Sequence, residues 1–150
     1  MQVRIARIHN TYGPYMDPED GRMVSNFIVQ ALTGEPITVY GDGSQTRSLC
    51  FADDMVAGLI GLMANDLGNG SPVNLGNPNE LTVLEVAEMV IDICNSDSEI
   101  VFEELPSDDP TRRCPDIGFA KRMFNWRPMV DVDDGLALTV DYFNGLMEEE

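Results

Sequence analysis

Apolar residues recur every three or four positions along much of the chain, and this spacing predicts amphipathic helices. The predicted helices cover 22–33, 54–63, 83–93 and 132–147, and a short helix follows Asp116. The inward positions of the second helix are predicted to be Val56, Leu59, Ile60 and Met63. Asp53 or Asp54 is placed to cap that helix, and Thr82 with Glu85 offers a capping box for the next one.

Shorter runs of strand-forming residues lie between the helices. VRIARI at 3–8 fits a strand loosely, and further strand signals are ITVY at 37–40, VNLG at 73–76 and IVF at 100–102. Gly-Asp-Gly at 41–43 predicts a tight turn, after which TRSLCF predicts a strand with Arg47, Leu49 and Phe51 on one face. The order of elements fits an α/β or an α+β protein, and the pattern alone leaves both open.

Composition narrows the range of partners. The chain has 150 residues, 43% of them hydrophobic, which suits a single domain with its own core. Because it carries 26 acidic residues against 9 basic ones, neither nucleic acid nor an anionic membrane is an expected partner. No apolar run approaches the roughly 18–20 residues that cross a bilayer, and a cytoplasmic location is predicted. Three cysteines without a Cys-x-x-Cys pair, beside one histidine, predict reduced thiols and no metal site.

Arg47 is an unusual residue in so acidic a chain, since it lies between the glycine turn and a run of strand formers. It could offset Asp42 or Asp53, although an exposed ion pair contributes only ~0–1 kcal/mol. Otherwise it binds an anionic ligand, which a few local cations must then hold. The sequence contains no nucleotide-binding glycine loop and no Tyr-x-x-x-Lys, and Lys121 is its single lysine. By itself the sequence therefore offers no pairing of nucleophile and base.

Long segments of the chain nevertheless resemble a known family. The segment from VRIARIHNTYGP through DGRMVSNFIVQAL to GEPITVYGDGSQTRS is similar to UDP-glucuronate decarboxylases, and PVNLGNP, DDPTRRCPDI and FNWRP continue the match in order. Those enzymes are extended short-chain dehydrogenases/reductases of the NAD-dependent epimerase/dehydratase family, and the resemblance is to their carboxyl-terminal half.

The resemblance implies an α/β fold with outer Rossmann strands and a small α+β sugar-nucleotide domain. Residues 1–150 would then form one sugar-nucleotide-binding domain. In the family, the amino-terminal half carries the NAD-binding glycine loop and the Tyr-x-x-x-Lys base. The resemblance therefore implies that this NAD-binding half is missing here.

The resemblance also implies which residues contact ligands. Substrate contacts are expected from Asn10, Tyr40, Gln45, Arg47 and Arg113, and cofactor contacts from Thr11, Asp17 and Arg22. Arg47 resembles the arginine that grips the substrate diphosphate, because a guanidinium fork matches the paired oxygens of a phosphate. Arg113 resembles an arginine that closes over the substrate near its carboxylate, and it is the catalytic candidate.

The activity implied by the resemblance converts UDP-glucuronate to UDP-xylose and carbon dioxide, with NAD as cofactor. A chain without the NAD-binding half is expected to be inactive alone. One departure favours another subclass, because the decarboxylases usually have Gly-Pro-Arg where this chain has Gly-Pro-Tyr at 13–15, a form also found in dTDP-glucose dehydratases. A sugar-nucleotide-binding or dimerisation module without catalysis is the third interpretation.

The expected partners are a UDP-sugar and a protein surface. Without an amino-terminal half, the apolar faces of the strand at 3–8 and the helix at 22–33 are expected to lie open, and open apolar faces tend to be buried by association. The sequence therefore predicts a homodimer or a complex with a separate amino-terminal half.

Overall fold

Five helices and nine short strands make up the part of the chain described by the computed structural model, which covers residues 3–65, 70–105 and 112–148. The helices are α1 (Met23–Thr33), α2 (Ala52–Ala64), α3 (Val83–Cys94), α4 (Gly118–Phe124) and α5 (Val132–Glu148). The strands are β1 (Ala6–Ile8), β2 (Thr11–Tyr12), β3 (Ile37–Tyr40), β4 (Thr46–Arg47), β5 (Cys50–Phe51), β6 (Val73–Leu75), β7 (Leu81–Thr82), β8 (Ile100–Glu103) and β9 (Arg112–Arg113).

The strands pair mainly in parallel. β1 pairs with β6, β2 with β5 and β3 with β8, all in the parallel direction. β4 lies between β7, which is antiparallel to it, and β9, which is parallel to it. Because parallel partners must be joined by crossovers, here through helices, this architecture is α/β, as the resemblance implied.

The buried apolar side chains form two clusters. The first packs α1, α3 and α5 around β3, with Ile28, Val39 and Leu136 among its members. The second packs α2 and α4 against β1 and β6. Strand β5 joins the clusters, because Cys50 belongs to the second and Phe51 to the first.

Local sequence signals are confirmed. α1 begins one residue after the predicted start, and Gly34 ends it with φ 72° in the left-handed region. Thr82 and Glu85 form the predicted capping box of α3, in which each side chain accepts from the other residue's backbone N–H. Gly41 and Gly43 make the predicted turn with φ of 74° and 76°. Each signal acts over only a few residues and needs no tertiary contact.

The predicted inward face of α2 is wrong at three of its four positions, since only Leu59 packs against the second cluster. Val56, Ile60 and Met63 are 52%, 61% and 76% exposed. The buried residues are instead Asp54, Met55, Gly58 and Leu62. A Cβ at Gly58 would lie 2.8 Å from Trp126 Cε2, and one at Gly61 would lie 2.7 Å from Phe124 Cδ2. The two rings therefore pack directly on the helix backbone, which apolar spacing cannot reveal because glycine has no side chain.

The predicted cap of α2 is also wrong. The N-cap residue is Phe51, and it makes no side-chain capping bond. Asp54 points inward instead, where its Oδ2 accepts from Met129 N and from Val130 N, each at 2.9 Å. Its carboxylate thus ties the loop before α5 to the first turn of α2.

The single strand predicted for TRSLCF is divided in the structure. β4 joins the sheet of β7 and β9, whereas β5 pairs with β2, and residues 48–49 between them belong to neither strand. The chain changes partner sheets at this point, so a uniform alternation pattern concealed two strands with different neighbours.

One of the two predicted open apolar faces is present. Val3, Ile5 and Ile8 are exposed along the segment that contains β1. The apolar face of α1 is not open, because Phe27 and Ile28 are buried in the first cluster against α3 and β3. Within the described residues, no helix combines the length and apolar character that a bilayer crossing requires.

Candidate functional site

A cavity of about 490 Å³ opens where β1, β4 and β9 reach their carboxyl ends. It is lined by Asn10, Thr11, Met16, Gly21, Arg22, Met23, Val24, Arg47, Leu49 and Arg113. The carboxyl ends of parallel strands are where α/β proteins commonly place ligands. We call this space the arginine cavity, because three of its lining residues are arginines.

The charge of the arginine cavity opposes that of the whole chain. Arg22, Arg47 and Arg113 are three of the 9 basic residues in a chain of net charge -17, and no acidic residue is among the described lining. Arg47 and Arg113 face each other in register across the parallel β4–β9 pair. Like charges directly opposite each other destabilise a sheet, so this arrangement suits an anion that both can contact.

Arg47 is held in a fixed position. It is only 8% exposed, and its Nη1 donates to Thr46 O at 2.8 Å. The preceding glycine turn sits close to α3, since a Cβ at Gly43 would lie 3.0 Å from Leu84 Cβ. The turn therefore brings β4 against the start of α3 with little room for another side chain, and Arg47 follows directly at the cavity.

Asp20 organises the other side of the cavity around Arg22, the N-cap residue of α1. Asp20 Oδ1 accepts from Arg22 N at 2.9 Å and from the Ser25 hydroxyl, and Asp20 Oδ2 lies 3.5 Å from Arg22 Nε. Ser25 is fully buried. One carboxylate therefore ties the loop before α1 to Ser25 in the first turn of the helix and orients Arg22. Sequence analysis missed this role because Asp20 lies two residues before the N-cap residue.

Replacing Asp20 by alanine is expected to lower the free energy of unfolding by about 1 kcal/mol, because the Arg22 N–H and the buried Ser25 hydroxyl lose a hydrogen-bond acceptor. Urea unfolding followed by circular dichroism measures this change. Glu19→Ala is the matched control, because Glu19 is exposed one position away, and it should change stability by less than about 0.5 kcal/mol. Equal stabilities of the two variants would show that the hydrogen bonds of Asp20 do not stabilise the fold.

The structure brings together five of the eight residues predicted to contact ligands. These are Asn10, Thr11, Arg22, Arg47 and Arg113. Gln45 is buried with its Nε2 donating to Tyr40 O at 2.7 Å, so its side chain braces the glycine turn. Asp17 is exposed and accepts from Glu19 N at 2.9 Å. Tyr40, Gln45 and Asp17 do not line the cavity, and their ligand contacts stay predictions.

The apolar part of the lining was missed by sequence analysis. Met16, Met23, Val24 and Leu49 line the cavity beside the arginines. Met16 lies in the loop before α1 and Met23 is the first residue of that helix, where no periodic pattern distinguishes a cavity wall from loop packing. Their apolar surfaces give the cavity a mixed character that suits a ligand with both charged and uncharged parts.

Two of the three cysteines, Cys50 and Cys94, are poor nucleophiles. All three are free thiols, as the sequence predicted. Burial, with a smaller contribution from Asp54, raises the pKa of Cys50 to about 12. Burial also raises the pKa of Cys94 to about 11. Because the thiolate is the reactive form, both side chains are inert at neutral pH.

Parallel strand pairs flanked by helices, with an arginine cavity at the strand ends, define a Rossmann-type α/β protein. The particular family follows from the sequence match. Residues 1–76, half of the chain, match the NAD dependent epimerase/dehydratase family. The chain belongs to that family.

The curated relatives include UDP-glucuronic acid decarboxylases. The chain is 49% identical to UDP-glucuronic acid decarboxylase 1 of Danio rerio over 150 residues, which are 100% of this chain and 35% of that protein. It is 51% identical to UDP-glucuronic acid decarboxylase 3 of Arabidopsis thaliana over 144 residues, which are 95% of this chain and 41% of that protein. The chain thus spans little more than a third of the length of these relatives.

Solved structures of sugar-nucleotide enzymes share the fold. UDP-glucose 4-epimerase of Thermotoga maritima, solved with UDP-glucose, matches with a TM-score of 0.90 at 30% identity, over 96% of this chain and 46% of that one. DesIV of Streptomyces venezuelae, a dTDP-glucose 4,6-dehydratase solved with NAD and TYD bound, matches with a TM-score of 0.89 at 30% identity, over 98% of this chain and 45% of that one.

Proposed function

We propose that residues 1–150 form one sugar-nucleotide-binding domain, the substrate-binding part of a UDP-glucuronate decarboxylase. The observation that carries this proposal is the pair Arg47 and Arg113, in register on one cavity whose described lining has no acidic residue. UDP-glucuronate has two anionic parts, a diphosphate and a sugar carboxylate, and each is best held by its own cation. The identity of 49% to the Danio rerio decarboxylase supports this substrate.

In this proposal the two arginines have different tasks. Arg47, rigid and buried, grips the diphosphate, and Arg113, at the exposed end of β9, holds the sugar carboxylate. Asn10 lies at the seam between the sugar and the cofactor. Tyr40 and Gln45 are assigned to the nucleoside end, where the ring of Tyr40 is partly exposed beside the glycine turn.

NAD, when bound, would take up and return the hydrogen at C4 of the sugar. The chain's residues fit only the nicotinamide end of this cofactor, which would meet the substrate sugar, since Thr11 and Arg22 line the cavity. Asp17 is assigned to the same end, through the loop that it shapes. The sequence has no glycine loop to cradle a dinucleotide pyrophosphate. The chain's own contribution is therefore to hold the substrate, and Arg113 would fix the carboxylate that leaves as carbon dioxide.

The remaining catalytic groups must come from other polypeptide, which we assign to an amino-terminal half that pairs with β1. β1 pairs only with β6 among the described strands, and Val3, Ile5 and Ile8 are exposed beside it. Parallel sheets are normally covered on both faces and extended by further strands. A homodimer that buries the same surface is the alternative partner, and a cytoplasmic location is part of this proposal.

The chain alone is expected to show no turnover of UDP-glucuronate and no tight binding of NAD, because it lacks the glycine loop and the Tyr-x-x-x-Lys pair. The assay incubates pure chain with NAD and UDP-glucuronate and follows carbon dioxide and UDP-xylose. Reproducible turnover by the pure chain would contradict the assignment of catalysis to other polypeptide.

The substrate assignment is tested by ligand preference. UDP-glucuronate should bind about tenfold more tightly than UDP-xylose, because the carboxylate adds a charge-assisted hydrogen bond to Arg113. Arg113→Ala should abolish that difference while leaving UDP-xylose binding less affected. Equal affinities of the unmodified chain for the two UDP-sugars would contradict the role given to Arg113.

A dTDP-glucose dehydratase is the second candidate, and Tyr15 is the residue that favours it. Tyr15 replaces the arginine that is usual in the decarboxylases and has φ 69°. Its ring contacts that of Tyr142 in a tilted arrangement, with ring centres 5.1 Å apart. In the same titration, tighter binding of dTDP-glucose than of UDP-glucuronate would support this candidate. Ligand binding without activity in any reconstituted enzyme would support a non-catalytic binding or dimerisation module.

A further inference from the structure

We propose that Glu80 is a positioning residue that holds Arg113 in the arginine cavity by binding its neighbour Arg112. This inference rests on the proposed function of Arg113 as a ligand contact. It concerns a side chain that lies outside the cavity and that no sequence motif indicates.

Glu80 and Arg112 form a bidentate ion pair. Arg112 Nε donates to Glu80 Oε1 at 2.8 Å, and Arg112 Nη2 donates to Glu80 Oε2. The Thr46 hydroxyl donates to Glu80 Oε1 at 2.7 Å. Glu80 therefore bridges β9 to β4 through side chains, in addition to the backbone pairing of the two strands. A planar guanidinium held at two points has little freedom to rotate.

Strand geometry transmits this constraint to Arg113. β9 is only two residues long, and successive side chains of a strand point to opposite faces. Arg112 borders a surface depression with Cys114 and Asp116, whereas Arg113 lines the arginine cavity. Fixing Arg112 on one face therefore fixes Arg113 on the other.

A residue near Glu80 adds a second contact to the segment that contains β9. Pro78 lies two residues before Glu80, and its carbonyl accepts from Cys114 Sγ at 3.4 Å on the far side of Arg113. The segment before β7 thus contacts the residues on both sides of Arg113 in sequence. The hydrogen bonds from Arg112 and then Thr46 lower the pKa of Glu80 to about 2, so its carboxylate stays ionised at neutral pH.

Arg113 needs a restraint from outside the cavity to keep its position. Both residues of β9 are exposed, and Arg113 faces Arg47, a like charge, across the sheet. An exposed arginine side chain keeps much of its rotamer freedom, so packing alone does not hold Arg113 at the cavity. Holding Arg112 on the opposite face keeps Arg113 at the cavity before the ligand arrives.

The test combines a double-mutant cycle, measured as UDP-glucuronate affinity, with amide hydrogen exchange. Glu80→Gln is expected to weaken UDP-glucuronate binding about three- to tenfold, and to have no further effect in an Arg113→Ala background. In the ligand-free chain the same variant should speed amide exchange in β9. Glu88→Gln is the matched control, because Glu88 is exposed on α3 away from the cavity, and it should change neither quantity.

The outcomes separate this inference from the proposed function. An additive effect of Glu80→Gln and Arg113→Ala, or unchanged affinity with unchanged β9 exchange, would overturn the positioning role. If the unmodified chain binds no UDP-sugar, the proposed function fails. Amide exchange in β9 then tests by itself whether Glu80 restrains β9. Faster exchange in Glu80→Gln supports that restraint, and unchanged exchange rejects it.

Discussion

Replacing Arg47 by alanine is expected to weaken UDP binding about ten- to hundredfold, because it removes a charge-assisted hydrogen bond to the diphosphate. The effect should be large because Arg47 is buried and lies in a chain of net charge -17, which otherwise repels a diphosphate. Arg113→Ala is expected to weaken UDP binding less, because UDP lacks the sugar carboxylate that is assigned to Arg113. Calorimetric titration of each variant with UDP measures the loss.

Arg127 provides the control for this prediction. It is exposed beside Trp126 and lies outside the arginine cavity, so Arg127→Ala removes the same charge without removing a ligand contact. Circular dichroism should show that Arg47→Ala keeps its fold. If Arg47→Ala and Arg127→Ala bind UDP with equal affinity, Arg47 does not hold a diphosphate in the cavity.

The largest effect on stability is expected from Asp54. Asp54→Ala leaves the backbone N–H groups of Met129 and Val130 without their acceptor, and the expected loss is about 2–4 kcal/mol of unfolding free energy. Trp126 Nε1 donates to the backbone carbonyl of Asp54, so that bond survives the substitution. Urea unfolding gives the difference.

Asp53 is a close control for Asp54. It is the preceding residue, it is exposed, and it lies in the same first turn of α2. Asp53→Ala should cost less than about 1 kcal/mol, the range of a carboxylate near a helix N-terminus. A loss of similar size in both variants would mean that the two backbone hydrogen bonds are not what makes Asp54 important.

Local features of the fold were predictable because their causes lie within a few residues. The capping box of α3, the end of α1 at Gly34 and the glycine turn at 41–43 depend on hydrogen bonds and backbone angles of neighbouring residues. These signals operate in any tertiary context. The sequence therefore located most helices to within a residue or two.

The errors have a tertiary cause. Gly58 and Gly61 determine the buried face of α2 by admitting the rings of Trp126 and Phe124, which lie more than sixty residues away in sequence. β9 is two residues long and exists through its pairing with β4. Neither feature leaves a periodic pattern in the sequence.

The candidate site was predictable only in part. The arginines were found because cations are scarce in this chain and because the sequence resembles a known family. Asp20 and Glu80 were missed, since each acts through another residue and belongs to a chain rich in carboxylates. Distances and partners distinguish them from the other acidic residues, and those follow only from the fold.

The central claim is that the arginine cavity binds the diphosphate of a sugar nucleotide. Calorimetric titration of the unmodified chain with UDP and with uridine tests it most directly, because the two ligands differ only in the diphosphate. We expect UDP to bind at least about tenfold more tightly than uridine, with an affinity that falls as salt is added. Equal affinities for UDP and uridine, or UDP binding that is insensitive to salt, would contradict the claim.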